Sequence, residues 1–440
     1  MEDFIDAREI IWRTYGVTDI TPYSVAILLI AEVLILFLPR RYVIPVMLWP
    51  AFFIPETQRV VFADLDFNIM RILVILGWLR LLEGNKKLPP LKLNVIDLAI
   101  SLWVISSMLA YCFLRNSLSA ITYQVGEVLQ TLGLYFMFRF FIRDFSDLNL
   151  IFKGLAIVCV GMAIAMTFEL ATEKNFLAIL GAKEPQWREG RLRCVGSFGH
   201  PILAGTFGAS LIPIFFALGW QKNNAIILSI LGLLAGIIIT LTSASSGPAM
   251  AMVFGMLGLG AWSVRRHLRP LRWGMLFGMI ALALIMNDPI WHIITKFTVV
   301  DGSTAYHRAR LMDAAIAHFD EWMALGTIST AHWGWGLQDT TNQFIRIGID
   351  GGIIPLALFV LIIVFCFQSI GRLLPFLENH SWATKVFFWA MGASLLSHVA
   401  SFFGVCYFDQ ILFWWLLLLA AISTSREFHD KLPGSNKAFI

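Results

Sequence analysis

Apolar residues dominate stretches of about twenty positions along this chain, each bounded by short polar connections. Such stretches fall at 22–38, 42–62, 65–82, 95–114, 124–142, 149–170, 199–219, 224–242, 246–262, 272–287, 351–368, 383–403 and 407–424. A helix rises about 1.5 Å per residue and the hydrocarbon layer is about 30 Å thick, so stretches of this kind can span or nearly span it. The pattern predicts an all-α fold, a polytopic transmembrane helix bundle of 12–14 spans with thirteen preferred, forming one domain over residues 1–440. The second stretch is the weakest. Pro45, Pro50 and Pro55 interrupt it and its end is polar, so a broken or re-entrant segment is expected there.

Two connections are too long to be simple turns, residues 171–198 and 288–350. Basic residues orient the array, because short cytoplasmic loops retain Lys and Arg. With the N-terminus outside, eighteen basic residues fall on the inner side, among them Arg40, Arg80, Lys86, Lys87, Arg139, Lys222, Arg265, Arg372, Arg426, Lys431 and Lys437. The short outer segments then hold only Arg8, Arg13, Arg59 and Arg115. This bias predicts an inner C-terminus and puts both long connections on the outer face. Within the second, Ser303 can cap a non-spanning helix whose Met312, Ala315, Phe319 and Trp322 form one stripe, with Asp313, Asp320 and Glu321 elsewhere. Such a helix is expected along the outer interface or over the mouth of the bundle.

Composition agrees with this picture and narrows it. Of 440 residues, 58% are hydrophobic and only 14% charged, and mean hydropathy is +0.74, too little polar surface to cover a water-soluble globule of this size. The net charge of +4 is small and its basic residues are scattered, so nucleic acid is not an expected partner. Of five cysteines, four sit in or beside apolar stretches and only Cys194 reads as solvent-facing, so neither a disulfide framework nor a metal cluster is expected. The acidic N-terminus does not resemble a cleaved signal, and the first span is expected to be retained.

Candidate chemistry concentrates in the two long connections. The sequence has no phosphate-binding glycine loop, paired-histidine zinc helix or serine elbow. Asp64-Leu65-Asp66 matches the Asp-x-Asp of nucleotide-sugar enzymes, but its outer placement favours a solvated turn. The first connection ends in Arg191-Leu192-Arg193-Cys194-Val195-Gly196-Ser197-Phe198-Gly199-His200-Pro201. Arginine suits pyrophosphate because its planar fork makes bidentate, charge-assisted hydrogen bonds. In an extended segment Arg191 and Arg193 share a face. The second connection carries Tyr306-His307-Arg308-Ala309-Arg310, where helical geometry lets at most one arginine face a given pocket. It then runs from His332-Trp333-Gly334-Trp335-Gly336 through Asp339 to Asn342-Gln343. Trp333 and Trp335 can stack on sugar rings or sit in an interfacial aromatic belt.

The order of these elements carries a family resemblance. Arg193 to Pro201 before a span, Ser243 to Gly247 opening a later one, Arg308 in a long outer loop, then Gly334-Trp335-Gly336-Leu337 and Asn342-Gln343-Phe344 before Gly351-Gly352, resembles the O-antigen ligase and Wzy-type polysaccharide polymerase superfamily over roughly residues 190–370. The resemblance implies a bacterial inner-membrane enzyme without cofactor or metal. It would transfer a glycan from undecaprenyl pyrophosphate to an acceptor glycan hydroxyl at the periplasmic face. It maps donor pyrophosphate binding onto Arg193 and onto Arg308 or Arg310, with Arg191 a further candidate beside Arg193. A flippase and a chain-length regulator are the partners such an enzyme would work beside. The family commonly has Ser-Arg-Gly where this chain has Ser245-Ser246-Gly247, and His where it has Thr341.

With that histidine absent, Asp339 and His332 are the candidates to take the acceptor proton. Asn342, His200 and Glu169 are accessory candidates, Glu169 because a charge near the outer end of a span is normally paired or functional. A Glu32 to Arg71 pair is also open. Polymerisation is the preferred reaction, and ligation to lipid A core the alternative. A transporter or lipid flippase would instead concentrate charge at midmembrane between inverted repeats.

Overall fold

The computed structural model describes residues 17–63, 65–83, 90–221, 225–286, 288–292, 304–408, 410–425 and 427–428. Arg8, Arg13, Asp64, Lys86, Lys87, Lys222, Ser303, Arg426, Lys431 and Lys437 lie outside the described residues, and so do the roles expected of them.

All thirteen apolar stretches contain a helix. The chain begins with α1 (Pro22–Phe37) and α2 (Val43–Phe53), then a hairpin of β1 (Arg59–Phe62) and β2 (Leu65–Asn68), then α3 (Ile69–Leu82), α4 (Val95–Arg115), α5 (Leu118–Phe141) and α6 (Phe145–Thr172). A second hairpin pairs β3 (Gln186–Arg188) with β4 (Arg191–Arg193), and α7 (Pro201–Leu218), α8 (Ala225–Thr242), α9 (Ser246–Gly260) and α10 (Leu268–Ile285) follow. The second long connection carries α11 (Thr304–Ala317) and α12 (Phe319–Trp322), and α13 (Gln343–Gly351) leads into α14 (Ile353–Leu373), α15 (Trp382–Phe402) and α16 (Ile411–Ser425). Among the described residues, α4, α6, α7, α8 and α14 with its extension to Leu377 are long and apolar enough to cross a membrane; α1, α9 and α16 are apolar but shorter. Large apolar side chains also cover the outside, as Ile226, Ile227, Ile230, Leu234 and Leu241 do on α8. A patch of that extent is unfavourable in water and suited to lipid. The chain is an all-α membrane protein.

Proline accounts for the weak second stretch. Pro50 lies inside α2, which stops at Phe53 after 11 residues, and the chain continues into the β1–β2 hairpin. There Asp66 forms an ion pair with Arg59 at 3.0 Å, a structural use of the residue that had suggested Asp-x-Asp.

Two groups of helices pack around α16. One joins α6, α7, α8, α9 and α15; the other joins α3, α4, α5 and α14. Helices α7 and α8 cross at Gly208 and Gly236, where a β-carbon on Gly208 would stand 2.7 Å from the Gly236 carbonyl oxygen. Small residues are what allow backbones this close. Helix α16 is buried at every position except Leu412.

At one end, Arg40 pairs with Asp147 at 2.9 Å and Arg80 donates to the Leu38 carbonyl at 3.2 Å. At the same end Arg139 meets Asp97 and Glu427, each at 2.9 Å. The opposite end gathers both long connections: Cys194 N–H donates to the Thr242 carbonyl at 3.1 Å, and an Arg308 N–H donates to the Gly404 carbonyl at 3.1 Å.

Several expectations are corrected. Arg71 pairs with Glu127 at 3.1 Å, not with Glu32, because α3 packs on α5 along this face. Cys194 is fully buried rather than solvent-facing, tucked under the end of α8, and burial pushes its thiol up to about 12. The single helix expected over the second connection breaks at His318, which resets the periodicity. Leu311, Ala315 and Trp322 are therefore buried, whereas Phe319 is exposed.

Candidate functional site

The site starts from a turn. Glu189 and Gly190 both have positive φ, +51° and +70°, and form the two-residue loop of the β3–β4 hairpin, a geometry whose twist matches its strands. Register places Arg188 opposite Arg191 and Gln186 opposite Arg193. Strand alternation would give Arg191 and Arg193 one environment, but Arg191 stands exposed near the tip while Arg193 reaches the bundle and is 6% exposed.

Below Arg193 the backbone is held from several sides. Both oxygens of Glu169, at the end of α6, accept backbone N–H bonds, from Val195 and Gly196, each at 2.9 Å. Asn175 donates to the Gly196 carbonyl at 2.6 Å, and Gln410 donates to the Ser197 carbonyl at 2.9 Å. Gly196 has φ +59°, a backbone conformation strained for L side chains, and a β-carbon there would stand 2.5 Å from Met162 Sδ, so glycine is favoured. Glu169 is thus a positioning residue. His200 caps α7, its Nδ1 accepting from Ile202 N–H at 3.2 Å, which requires an unprotonated Nδ1. Burial, then the Arg193, Lys183 and Arg188 cations, pull its pKa down to about 4.

Arg193 Nη2 donates to the Ser245 hydroxyl at 2.7 Å, and that hydroxyl donates to the Ser243 carbonyl at 2.8 Å. Two residues on, a β-carbon at Gly247 would lie 3.9 Å from Arg308 Nη2. Arg193 and Arg308 therefore flank the Ser245–Gly247 start of α9 from the two long connections. Arg308 is 8% exposed, and the Nε of each guanidinium is buried without a hydrogen-bond partner. Burial and the neighbouring Arg188 cation lower the pKa of both; Glu189 partly opposes this at Arg193. Among the described residues neither arginine forms an ion pair. A buried, uncompensated cation costs several kcal/mol in general, and an arriving anion removes that cost.

The second connection separates its arginines as helical geometry requires. Arg308 turns inward, whereas Arg310 is half-buried, with Tyr306 beneath its guanidinium at 5.9 Å. Beside Arg308, His307 Nε2 donates to the Asp339 carbonyl at 3.1 Å, bringing the Asp339 segment to α11. The Asp339 side chain is exposed and makes no hydrogen bond among the described residues. His332 is engaged: its Nε2 bonds Glu321 Oε2 at 2.7 Å.

Of three further candidates, Trp333 and Asn342 have structural duties. Trp333 is buried, donates to Glu321 Oε2 at 3.0 Å and stacks on His318, so it offers no face to a sugar. Trp335, between Gly334 and Gly336 with their positive φ, is 80% exposed. Asn342 is buried and its Oδ1 caps α13, accepting from Phe344 and Ile345 N–H at 3.0 and 3.2 Å.

Sequence reasoning missed Arg188, Gly404 and Gln410. Arg188 had a signal, because matched triplets flank Glu189-Gly190 as hairpin strands do. Gly404 and Gln410 join the site only through the packing of α15 and α16. No protein-family model matches the chain, and no curated protein is significantly similar to it.

Proposed function

We propose that this protein is a bacterial polysaccharide polymerase of the inner membrane, crossing it about thirteen times with both long connections on the periplasmic side. It transfers a glycan from undecaprenyl pyrophosphate to a hydroxyl of an acceptor glycan. The observation that carries this reading is the pair Arg193 and Arg308, two buried guanidiniums without carboxylate partners among the described residues, one from each connection, meeting at the start of α9. A pyrophosphate supplies the missing negative charge and accepts bidentate hydrogen bonds from both.

The acceptor oxygen attacks the anomeric carbon of the donor, and the bond from that carbon to the pyrophosphate oxygen breaks. The leaving lipid pyrophosphate takes the electron pair, and its added charge falls beside the guanidiniums, which stabilise it more strongly than the ground state. The exposed Asp339 carboxylate takes the acceptor proton. His332 is less suited, since its Nε2 already faces Glu321.

Purified protein supplied with a lipid-linked repeat unit alone tests this reading. A ladder of polymer products is expected. Transfer only after lipid A core is added would make the protein a ligase instead, and no transfer to either acceptor would end the glycosyltransferase reading.

A further inference from the structure

We propose that His318, Glu321 and His332 form a divalent-cation site of zinc-like preference, which clamps the loop carrying Asp339 to the α11–α12 corner. His318 occupies that corner, Glu321 lies in α12, and His332 belongs to the 3₁₀ turn Ala331–Trp333. The two oxygens of one carboxylate face the two rings, with His318 Nδ1 to Oε1 and His332 Nε2 to Oε2 each at 2.7 Å. One ligand atom from each residue lies within 4.8 Å of the other two. Zinc–ligand bonds of about 2.0–2.2 Å require ligand atoms about 3.3 Å apart, which small side-chain rotations supply.

The donor set fits the ion. Two imidazoles and one carboxylate match zinc and its neighbours among the transition metals, and three protein ligands leave a position for water. The surroundings fix the ligands as the outer layer of a metal centre does. Trp333 Nε1 donates to Glu321 Oε2 at 3.0 Å, and Trp333 stacks on His318 at 5.3 Å with planes 5° apart. The side chains are 32%, 38% and 54% exposed for His318, Glu321 and His332, so an ion reaches them without opening the fold.

The ion has no part in glycosyl transfer. Its effect is to reinforce the junction of segments that otherwise meet through Trp333, which packs with Leu311, Ala315 and Trp322, and through His307, which donates to the Asp339 carbonyl. Asp339 lies two residues beyond Leu337.

Metal analysis tests this independently of any glycan reaction. Full-length protein in detergent, stripped with EDTA and dialysed against Zn2+, should retain one zinc per chain. Glu321→Gln and His332→Ala should each weaken retention at least tenfold. Cobalt titration of the unaltered protein gives a second reading that needs no variant: intense visible absorption of a low-coordinate ion is expected. No retained zinc, equal retention in both variants, or only the weak spectrum of hydrated cobalt would overturn the proposal.

Discussion

Arg193 donates to the Ser245 hydroxyl at 2.7 Å, and through it a strand of the first long connection is fixed to the start of α9. The contact aims one arginine group while leaving its Nε unpartnered. Arg193→Ala should slow glycan transfer about ten- to a hundredfold, since charge-assisted contacts of this kind are worth about 1.5–3 kcal/mol. Arg193→Lys should recover only part, because a point charge replaces a bidentate fork. Initial transfer rates at matched protein abundance check both, and full activity in the alanine variant would remove the pyrophosphate site.

The two candidate bases separate by their contacts. Asp339→Asn should lower kcat with donor affinity nearly unchanged, because the carboxylate makes no hydrogen bond among the described residues that the variant would break. An unaltered kcat would show that the proton leaves by another route.

Glu169 tests the positioning of the loop rather than the chemistry. Glu169→Ala would leave the Val195 and Gly196 N–H groups buried without partners, a penalty of about 1–3 kcal/mol for each. A lower melting temperature is expected together with a raised donor KM, as Arg193 loses its register. If melting falls while KM stays constant, Glu169 supports the fold without aiming the arginine.

His200 gives a signed pH effect. Its folded pKa of about 4 lies below the unfolded imidazole value near 6.5, so in that window the unfolded chain binds a proton that the folded chain refuses. Stability from this residue is complete above about 6.5 and is lost as the pH falls toward 4. His200→Asn keeps a cap acceptor and removes the titration, so its melting temperature should decline less across that window. Equal declines in both proteins would assign the acid sensitivity elsewhere.

What the sequence disclosed follows from the range of the interactions. Helix positions were legible because apolar periodicity is local, and Arg193, His200 and Pro201 were legible because they are contiguous. Glu169 stood out as a charge where lipid would penalise it. The environments of Trp333 and Asn342 were not legible, since an inward tryptophan and a capping asparagine differ from sugar contacts only once α12 and α13 are placed. Arg71 posed the same difficulty. Glu32 and Glu127 are equally eligible partners in sequence, and only the packing of α3 on α5 decides between them.

Helix α16 carries a consequence for biogenesis. Among the described helices it is the last to leave the ribosome, yet it lies at the centre, with Phe413 against Phe52 and Phe138 and Trp414 against Phe152. Its 15 residues extend about 22 Å, short of the hydrocarbon thickness, and its neighbours are protein rather than lipid. The order of synthesis therefore runs opposite to the order of enclosure. The earlier helices must remain parted until this segment enters, and a ribosome stalled before Ile411 would hold a ring of inserted helices around an unfilled, aromatic-lined axis.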